Sequence, residues 1–298
     1  MKRFIEEKMD EIFHDFKDEI NGMQTLCNLK ILRFNGGIIP DYNQSYIQRL
    51  YLLRYFPAYL IEYYLMYDKL LDLNFTKLPL NILSIGSGCG LDYYGLVFAL
   101  KNRGIDINDN VQYTGIDIIN WGYKDNLGNP NCQYIQTDIN NFQAILRNNY
   151  NIIVLPKSIG EFDTASFNQL LNTLERALFL EDDICILSSI REMHSEIDIN
   201  RMNQIINVFR NKYYVCNNPN SSYYHFEEKQ TLFAAFPDNF TFPSHIIDVL
   251  KELLCNCRNY IENGEPCLDD CKDLNRWPIL RTDHMQFQIK ILSFSAPF

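Results

Sequence analysis

The feature that most constrains this chain is a glycine-rich stretch directly after a run of apolar residues. Gly86, Gly88 and Gly90 alternate with small residues, and an apolar, helix-like segment begins at Leu91. Glycine tolerates positive φ and lacks the Cβ that would keep a ligand away from the backbone. A strand, a tight turn and a helix start in this order bring a nucleotide-like ligand against backbone amides. The stretch therefore predicts a strand–turn–helix unit with a ligand site at its turn.

Short apolar runs alternate with helix-like segments through the middle of the chain. This alternation predicts βαβ units and an α/β, Rossmann-like, mostly parallel sheet with helices on both faces. The predicted strands lie at 80–86, 111–117, 132–136, 151–155 and 183–190, with later strands at 231–236 and 285–294. The predicted helices of this region lie at 91–103, 139–147, 163–179 and 195–210, with another near 244–255.

The N-terminal part has a different pattern, and we expect two regions. Residues 1–78 are predicted to be helical, on the substrate side, and 79–298 to form the Rossmann-like domain with a cysteine-rich insertion at about 240–284. The stretch 45–73 is rich in tyrosine, and Pro57 is predicted to kink or divide its helix. Its tyrosines fit either packed helix faces or a lid over the ligand site, and both interpretations stay open.

Composition limits the classes of partner and location. The 298 residues carry a formal net charge of -10, and nonspecific binding of phosphate backbones needs lysine and arginine, so nucleic acid is a less favoured partner without being excluded. Acidic residues stand where a secretion signal would be apolar, and no run of about 18 uncharged apolar residues predicts a membrane span. The nine cysteines then favour reduced thiols and a cytoplasmic location.

Acidic residues end the second and third predicted strands. Asp117 is placed to accept hydrogen bonds from ribose hydroxyls, and Ile118 follows it. Asp138 can accept from an adenine amino group while Ile139 packs on the ring. The alternative for both carboxylates is a structural role, as the end of a strand or the cap of the next helix.

The fourth predicted strand ends with residues that can carry chemistry. Pro156, Lys157, Ser158 and Glu161 are expected at the mouth of the site. Glu161, or His194 after the fifth strand, can act as a general base if the reaction needs one, and Lys157 is a further catalytic candidate. The alternatives are a Lys–Glu pair with a helix cap, and a structural or surface histidine.

Three of these motifs resemble those of the class I S-adenosylmethionine-dependent methyltransferases. They are Ile-Gly-Ser-Gly-Cys-Gly-Leu-Asp at 85–92, Gly-Ile-Asp at 115–117 and Thr-Asp-Ile at 137–139. The resemblance implies a seven-stranded sheet with a reversed last strand. It also implies that the glycine loop holds the methionine part of the cofactor, Asp117 the ribose and Asp138 the adenine. The expected cofactor-binding residues are Ser84, Gly86, Ser87, Gly88, Gly90, Asp92, Asp117, Ile118, Asp138, Ile139 and Pro156.

Two details qualify this resemblance. Members of the family usually carry Asp or Glu at the position of Ser84, and Asp92 is the residue expected to compensate. A nicotinamide-dependent dehydrogenase would also show a glycine loop and an acidic ribose partner. Its third glycine stands three residues after the second, whereas here the glycines alternate, so the spacing favours the methyltransferase.

The resemblance implies methyl transfer to a small-molecule or protein or peptide acceptor. An RNA methyltransferase or a ribosome-associated relative is one alternative, and a cofactor-binding scaffold without catalysis is another. Residues 155–162 lack both the Asn-Pro-Pro-Tyr type of motif and the Pro-Cys nucleophile of nucleic-acid methylases. Those absences make the corresponding assignments less favoured.

Four cysteines lie close together near the C-terminal end of the sequence. Cys255, Cys257, Cys267 and Cys271 resemble a four-thiolate metal site, with zinc as the first expectation and an iron–sulfur cluster as an alternative. Their spacing departs from the usual Cys-x2-Cys pair. Reduced cysteines that bind no metal, or redox partners, are the competing interpretation.

Overall fold

The structure is a computed structural model in which the chain forms two compact units. It describes residues 1–23, 25–32, 40–73, 75, 78–191, 194–218, 223–225, 241–265, 267, 271, 274 and 277–295. Unit 1 comprises Met1–Tyr59 and Lys229–Thr282, and unit 2 comprises Leu60–Glu228 and Asp283–Phe298. The division into a substrate-side helical region over 1–78 and a methyltransferase domain over 79–298 stays a prediction.

The described part of the chain contains eight α-helices and ten strands. The helices are α1 Lys2–Asn21, α2 Ser45–Asp72, α3 Leu91–Asn102, α4 Ile107–Asn110, α5 Thr164–Arg176, α6 Ser195–Asn211, α7 Ser244–Glu252 and α8 Arg258–Asn263. The strands are β1 Leu80–Ile85, β2 Val111–Asp117, β3 Cys132–Gln136, β4 Arg147–Asn148, β5 Ile152–Pro156, β6 Leu178–Phe179, β7 Asp183–Ser189, β8 Tyr214–Cys216, β9 Tyr223–His225 and β10 Gln286–Phe294.

The main sheet of unit 2 has the order β3-β2-β1-β5-β7-β10-β8, and β9 pairs with β10 beside this path. The first five of these strands run parallel, whereas β10 is antiparallel to β7, β8 and β9. The predicted α/β fold with a mostly parallel sheet is therefore confirmed, although the sheet has eight strands instead of the predicted seven. The reversed strand that the resemblance implies is β10, which lies between β7 and β8.

The centre of the sheet is apolar because both of its faces are covered. All six residues of β1 are buried, and Leu80 and Ile82 lie in register with Val111 of β2 and Ile152 of β5. Buried strands of a parallel sheet are expected to read as continuous apolar runs. Helices α5 and α6 cover one face, where Phe167 and Met202 join the same apolar cluster as residues of β1, β5 and β7.

The C-terminal half of α2 packs closely on α3 within unit 2. Gly95 permits this contact, since a Cβ at that position would lie 2.6 Å from Tyr63 Cβ and 2.7 Å from the backbone nitrogen of Tyr64. Tyr63, Tyr64 and Tyr67 are buried. These tyrosines therefore act as packed helix faces, the first of the two interpretations of the tyrosine-rich stretch. Pro57 lies inside one continuous helix, so it does not divide the helix, and the alternative that it kinks the helix stays a prediction.

One further prediction differs from the structure, and another concerns residues that lie outside the described ranges. The predicted helix at 139–147 was wrong, because the chain forms two short 3-10 segments, Ile139–Asn141 and Gln143–Leu146, followed by β4. Asparagine competes with the backbone for hydrogen bonds and favours caps and turns. The predicted strand at 231–236 lies outside the described residues. None of the helices in the described ranges has the length and apolar character that a membrane span requires.

The tight contact at Gly95 makes a prediction for stability. We expect Gly95→Ala to lower the free energy of unfolding by about 1–3 kcal/mol, because the added methyl group meets the backbone of α2 and overpacking of this kind is costly. Urea unfolding followed by circular dichroism measures the change. Gly22→Ala is the control, since its added Cβ would have Glu19 O, at 3.6 Å, as its nearest neighbour. Equal stability of Gly95→Ala and the wild type would contradict the packing described.

Candidate functional site

The loops that follow the parallel strands lie at one edge of the main sheet. Ligands of open α/β sheets bind at this carboxyl edge. The glycine loop follows β1, and Gly86, Gly88 and Gly90 all have positive φ, at 74°, 57° and 86°. Gly90 immediately precedes α3, so the loop leads into a helix N-terminus, as the sequence predicts.

Asp117 at the end of β2 joins the glycine loop to the next turn. Its Oδ2 accepts from Gly88 N at 2.9 Å, and its Oδ1 accepts from Ile119 N at 2.8 Å. Burial raises the pKa of Asp117, while these backbone donors and the Trp121 side chain oppose the rise. Asp117, which is predicted to bind the ribose, therefore also holds the glycine loop, which is predicted to bind the methionine part of the cofactor.

The loop fits closely against two neighbouring segments. A Cβ at Gly86 would overlap Ser158 Cβ, and a Cβ at Gly90 would overlap the hydroxyl of Tyr134. Ser158 Oγ also donates to the carbonyl of Ile85 at 2.5 Å. Both ends of the loop are thus fixed by contacts that only glycine allows.

Asp92 lies in a buried polar cluster beneath the loop. The hydroxyl of Tyr113 donates to its two carboxylate oxygens at 3.0 and 3.1 Å. Burial raises the pKa of Asp92 to about 6, and the hydroxyls of Ser84 and Tyr113 oppose the rise. Ser84 and Asp92 are both 0% exposed, and because the Ser84 hydroxyl acts on the pKa of Asp92, the atypical serine lies near the acid expected to compensate for it. Their contact with a cofactor stays a prediction.

The residues predicted to face an adenine differ in exposure. Ile118 is 66% exposed although it is apolar, and it directly follows Asp117. Ile139 is buried in the core, and Asp138 caps the 3-10 segment after β3 by accepting from Asn140 N at 2.8 Å. Asp138 therefore has the capping role that was the alternative to binding adenine, and its role toward adenine stays a prediction.

Lys157 belongs to a buried ionic network at the ends of β5 and β7. Its ammonium group lies 3.0 Å from Glu62 Oε2 and donates to the carbonyl of Ile190 at 2.9 Å. Ser189 Oγ donates to Glu62 Oε1 at 2.5 Å. Glu62, on α2, is the unpredicted member of this network. In the sequence, Glu62 stands out as a charged residue within an apolar and aromatic stretch. The sequence does not indicate that its partner is Lys157, which lies 95 residues away.

Glu161 lies in the loop after β5, among charged groups. Burial raises the pKa of Glu161 to about 7; Arg191 opposes the rise, and the carboxylates of Asp117 and Asp198 add to it. Arg191 is itself paired with the fully buried Asp198, with Nη2 and Oδ1 2.7 Å apart. A carboxylate with a pKa near neutrality can accept or donate a proton at physiological pH.

The remaining predicted site residues have simpler surroundings. Pro156 is the last residue of β5 and lies in register with Ser189 of β7. His194 directly precedes α6, and its backbone N donates to the carbonyl of Arg191 at 3.3 Å. The catalytic roles predicted for Glu161, Lys157 and His194 are untested.

The predicted four-thiolate metal site is not supported. Among the described residues, no group of three or more His, Cys, Asp or Glu side chains could hold a metal ion. Cys255 and Cys267 are exposed, whereas Cys257 and Cys271 are buried, and all four are free. Closeness in sequence therefore does not bring these sulfur atoms to one point.

The strand order, the antiparallel β10 and the glycine loop define a class of fold. Together they give the Rossmann-like architecture that the motifs imply, that of the class I S-adenosylmethionine-dependent methyltransferases. This assignment of the fold rests on the sheet and its loops.

Comparisons with known proteins add similar structures at low identity. No family model and no curated protein sequence matches this chain. A solved structure of the plantazolicin methyltransferase BpumL with a monoazolic desmethylPZN analog and SAH has 15% identity and a TM-score of 0.40, covering 98% of this chain and 100% of that one. The Burkholderia thailandensis 1,6-didemethyltoxoflavin-N1-methyltransferase has 8% identity and a TM-score of 0.39, with 80% and 79% covered.

A third similar structure is Haemonchus contortus phospholethanolamine N-methyltransferase 2, with 12% identity and a TM-score of 0.37. The match covers 77% of this chain and 52% of that one. Similarities at this level do not identify the substrate of this chain.

The buried carboxyl group of Asp92 makes a prediction for pH dependence. Its folded pKa of about 6 exceeds the ordinary 3.8, so the folded chain binds more protons between these values and loses stability as the pH rises. At about 1.4 kcal/mol per pKa unit, the loss is roughly 3 kcal/mol. Asp92→Asn does not titrate, and its free energy of unfolding should rise by that amount relative to the wild type between about pH 3 and about pH 8.

Urea unfolding at the two pH values measures this difference. Tyr113→Phe is the control, because it removes the donor and keeps the carboxyl group, and should therefore retain the loss with rising pH. A constant difference between Asp92→Asn and the wild type at both pH values would show that burial does not perturb this group.

Proposed function

We propose that this chain is an S-adenosylmethionine-dependent methyltransferase that acts on a small-molecule or protein or peptide acceptor. One observation carries the proposal. Asp117, at the end of β2, accepts a hydrogen bond from the glycine loop, in a sheet that has an antiparallel β10. An acidic strand end beside a glycine loop is the arrangement that receives an adenosine-type ligand.

The residues at the carboxyl edge fit such a ligand. The loop carries no side chains at its three glycines, and a Cβ at Gly88 would find its nearest neighbour, Trp121, at 3.8 Å. Ile118 offers an exposed apolar surface next to the Asp117 carboxylate. We assign the methionine part to the loop at 86–90, the ribose to Asp117, and the adenine to Ile118 and Asp138.

Bound S-adenosylmethionine would supply an activated methyl group. The contribution of the chain is then to hold the acceptor in line with that group, because positioning alone can supply much of the acceleration. Glu62, Lys157 and Ser189 support the ends of β5 and β7 at this edge of the sheet. We assign this buried network the task of keeping the acceptor side rigid.

The acidic charge favours small or peptide acceptors over nucleic acid. A formal net charge of -10 gives weak nonspecific attraction for a phosphate backbone. The lack of a metal group in the described residues also removes the cysteine cluster as support for an RNA-docking module.

Calorimetry with S-adenosylmethionine tests the proposal directly. We expect the wild type to bind, and Asp117→Ala to weaken binding at least about tenfold, since hydrogen bonds to a charged group are worth about 1.5–3 kcal/mol each. No heat of binding at millimolar cofactor would refute the proposed function.

Asp106→Ala is the matched control for Asp117→Ala. Asp106 accepts from the amide two residues ahead, Asn108 N at 3.1 Å, much as Asp117 accepts from Ile119 N. It precedes β2, at the opposite end of that strand from Asp117. Asp106→Ala should therefore bind S-adenosylmethionine like the wild type. Equal loss in both variants would attribute the effect to turn stability instead of to the site.

A further inference from the structure

One face of the main sheet changes from apolar to polar toward the edge at which β1 and β2 begin. On β2 this face carries Gln112, Thr114 and then Ile116, which belongs to the apolar cluster with residues of α5 and α6. The neighbouring strands extend the polar part, because Asn81 of β1 pairs with Gln112 and Gln133 of β3 pairs with Thr114. Faces of a parallel sheet that helices cover are expected to be apolar. This polar part of the face therefore has a different kind of neighbour.

The connection between β3 and β5 leaves a cavity on this face. In place of the helix predicted at 139–147, the chain forms two short 3-10 segments and β4. A cavity of ≈ 540 Å³ lies between these segments and the polar strand residues, and its wall includes Ala144 and Arg147. Binding sites for small molecules typically measure about 300–1,000 Å³. The cavity is therefore large enough for a small ligand.

Hydrogen bonds within the wall hold the cavity in shape. Asn81 Nδ2 donates to the carbonyl of Asn149 at 3.2 Å, which ties the start of β1 to the turn before β5. On the sheet, Gln133 Nε2 donates to Thr114 Oγ1 at 3.1 Å. A site whose side chains are already ordered loses less conformational entropy when a ligand binds. These contacts therefore preorganise the cavity.

The wall also contains a buried acceptor that lacks a donor. Asn81 is 6% exposed, and its carboxamide oxygen accepts no hydrogen bond from the described residues. A buried polar group without a partner is costly, and a hydroxyl donor of a ligand would remove that cost. Asn81 thus favours a ligand that carries hydroxyl groups.

The charge and the polar groups of the wall indicate the chemistry of such a ligand. Among the described residues that line the cavity, Arg147 is the one charged side chain, and six others are Asn or Gln. A carboxamide offers both a donor and an acceptor, which suits the neighbouring hydroxyl groups of a sugar. A guanidinium group binds phosphate through two parallel hydrogen bonds. An anion with several hydroxyl groups matches both features.

We propose that this cavity is a binding site for a sugar phosphate, with Arg147 on the phosphate and the carboxamides of the wall on the sugar hydroxyls. The site lies where β1 and β2 begin, whereas the glycine loop and Asp117 lie where these strands end. It is therefore separate from the proposed cofactor site. The inference goes beyond the proposed function and does not depend on it.

Three probes test the class of ligand: ribose 5-phosphate, ribose and inorganic phosphate. We expect calorimetry on the full chain to show that ribose 5-phosphate binds at least about tenfold more tightly than either of the other two, because it alone has hydrogen-bonding partners for both the guanidinium and the carboxamides. Equal binding of inorganic phosphate would show an adventitious ion only. Equal binding of ribose would show that Arg147 does not recognise the phosphate.

Two variants test the place of binding. Arg147→Met should weaken ribose 5-phosphate at least about tenfold and leave ribose unchanged, since it removes charged hydrogen bonds to the phosphate alone. Arg176→Met, at an exposed position on α5, is the matched control and should bind like the wild type. Ala144→Trp fills the cavity and should abolish binding. Arg147 and Ala144 are both exposed, so each variant remains informative if the other fails to fold.

The outcomes also separate this site from the proposed cofactor site. Asp117→Ala should keep its affinity for ribose 5-phosphate, and a loss there would place the probe at the other edge of the sheet and overturn the inference. No heat of binding with millimolar ribose 5-phosphate would overturn it as well, as would full affinity in Arg147→Met or in Ala144→Trp. None of these results bears on the proposed function, which calorimetry with S-adenosylmethionine tests separately.

Discussion

Asp117 accepts hydrogen bonds from the amides of Gly88 and Ile119, so one carboxylate joins the glycine loop to the turn after β2. The loop has positive φ at its three glycines, and the two amides are donors that oppose the rise in the pKa of Asp117 caused by burial. The parallel pairing of β1 with β2 makes this contact possible, because it places the ends of the two strands side by side. The geometry of the proposed site therefore follows from the register of two central strands.

The local parts of this arrangement could be predicted from the sequence. The bounds of β1, β2 and β3, and the positions of Asp117 and Asp138 at or just after strand ends, follow from apolar runs and glycine spacing. The pairing of Glu62 with Lys157, and of Arg191 with Asp198, could not be predicted in the same way. The spacing of charged residues along the sequence does not indicate which residues pair with each other. Only the folded sheet brings these pairs together.

Residue type alone does not give the surroundings of Lys157 or of the cysteine cluster. A lysine after a strand is a reasonable catalytic candidate, yet its ammonium is engaged with Glu62 and with the carbonyl of Ile190. Four nearby cysteines suggest a metal site, yet two are exposed and two are buried. In both cases the sequence names the side chains and does not give their positions in space.

The position of β10 within the sheet has a consequence for synthesis. It pairs with β7 on one side and β8 on the other, yet it begins about a hundred residues after β7 ends. At a translation rate of about 5–20 residues per second, β7 would wait roughly 5–20 s with an open edge. Within the described ranges β8 has no other neighbour in the sheet during that time. Exposed strand edges invite pairing with other chains, so β7 and β8 present edges that are open to such pairing until β10 has left the ribosome.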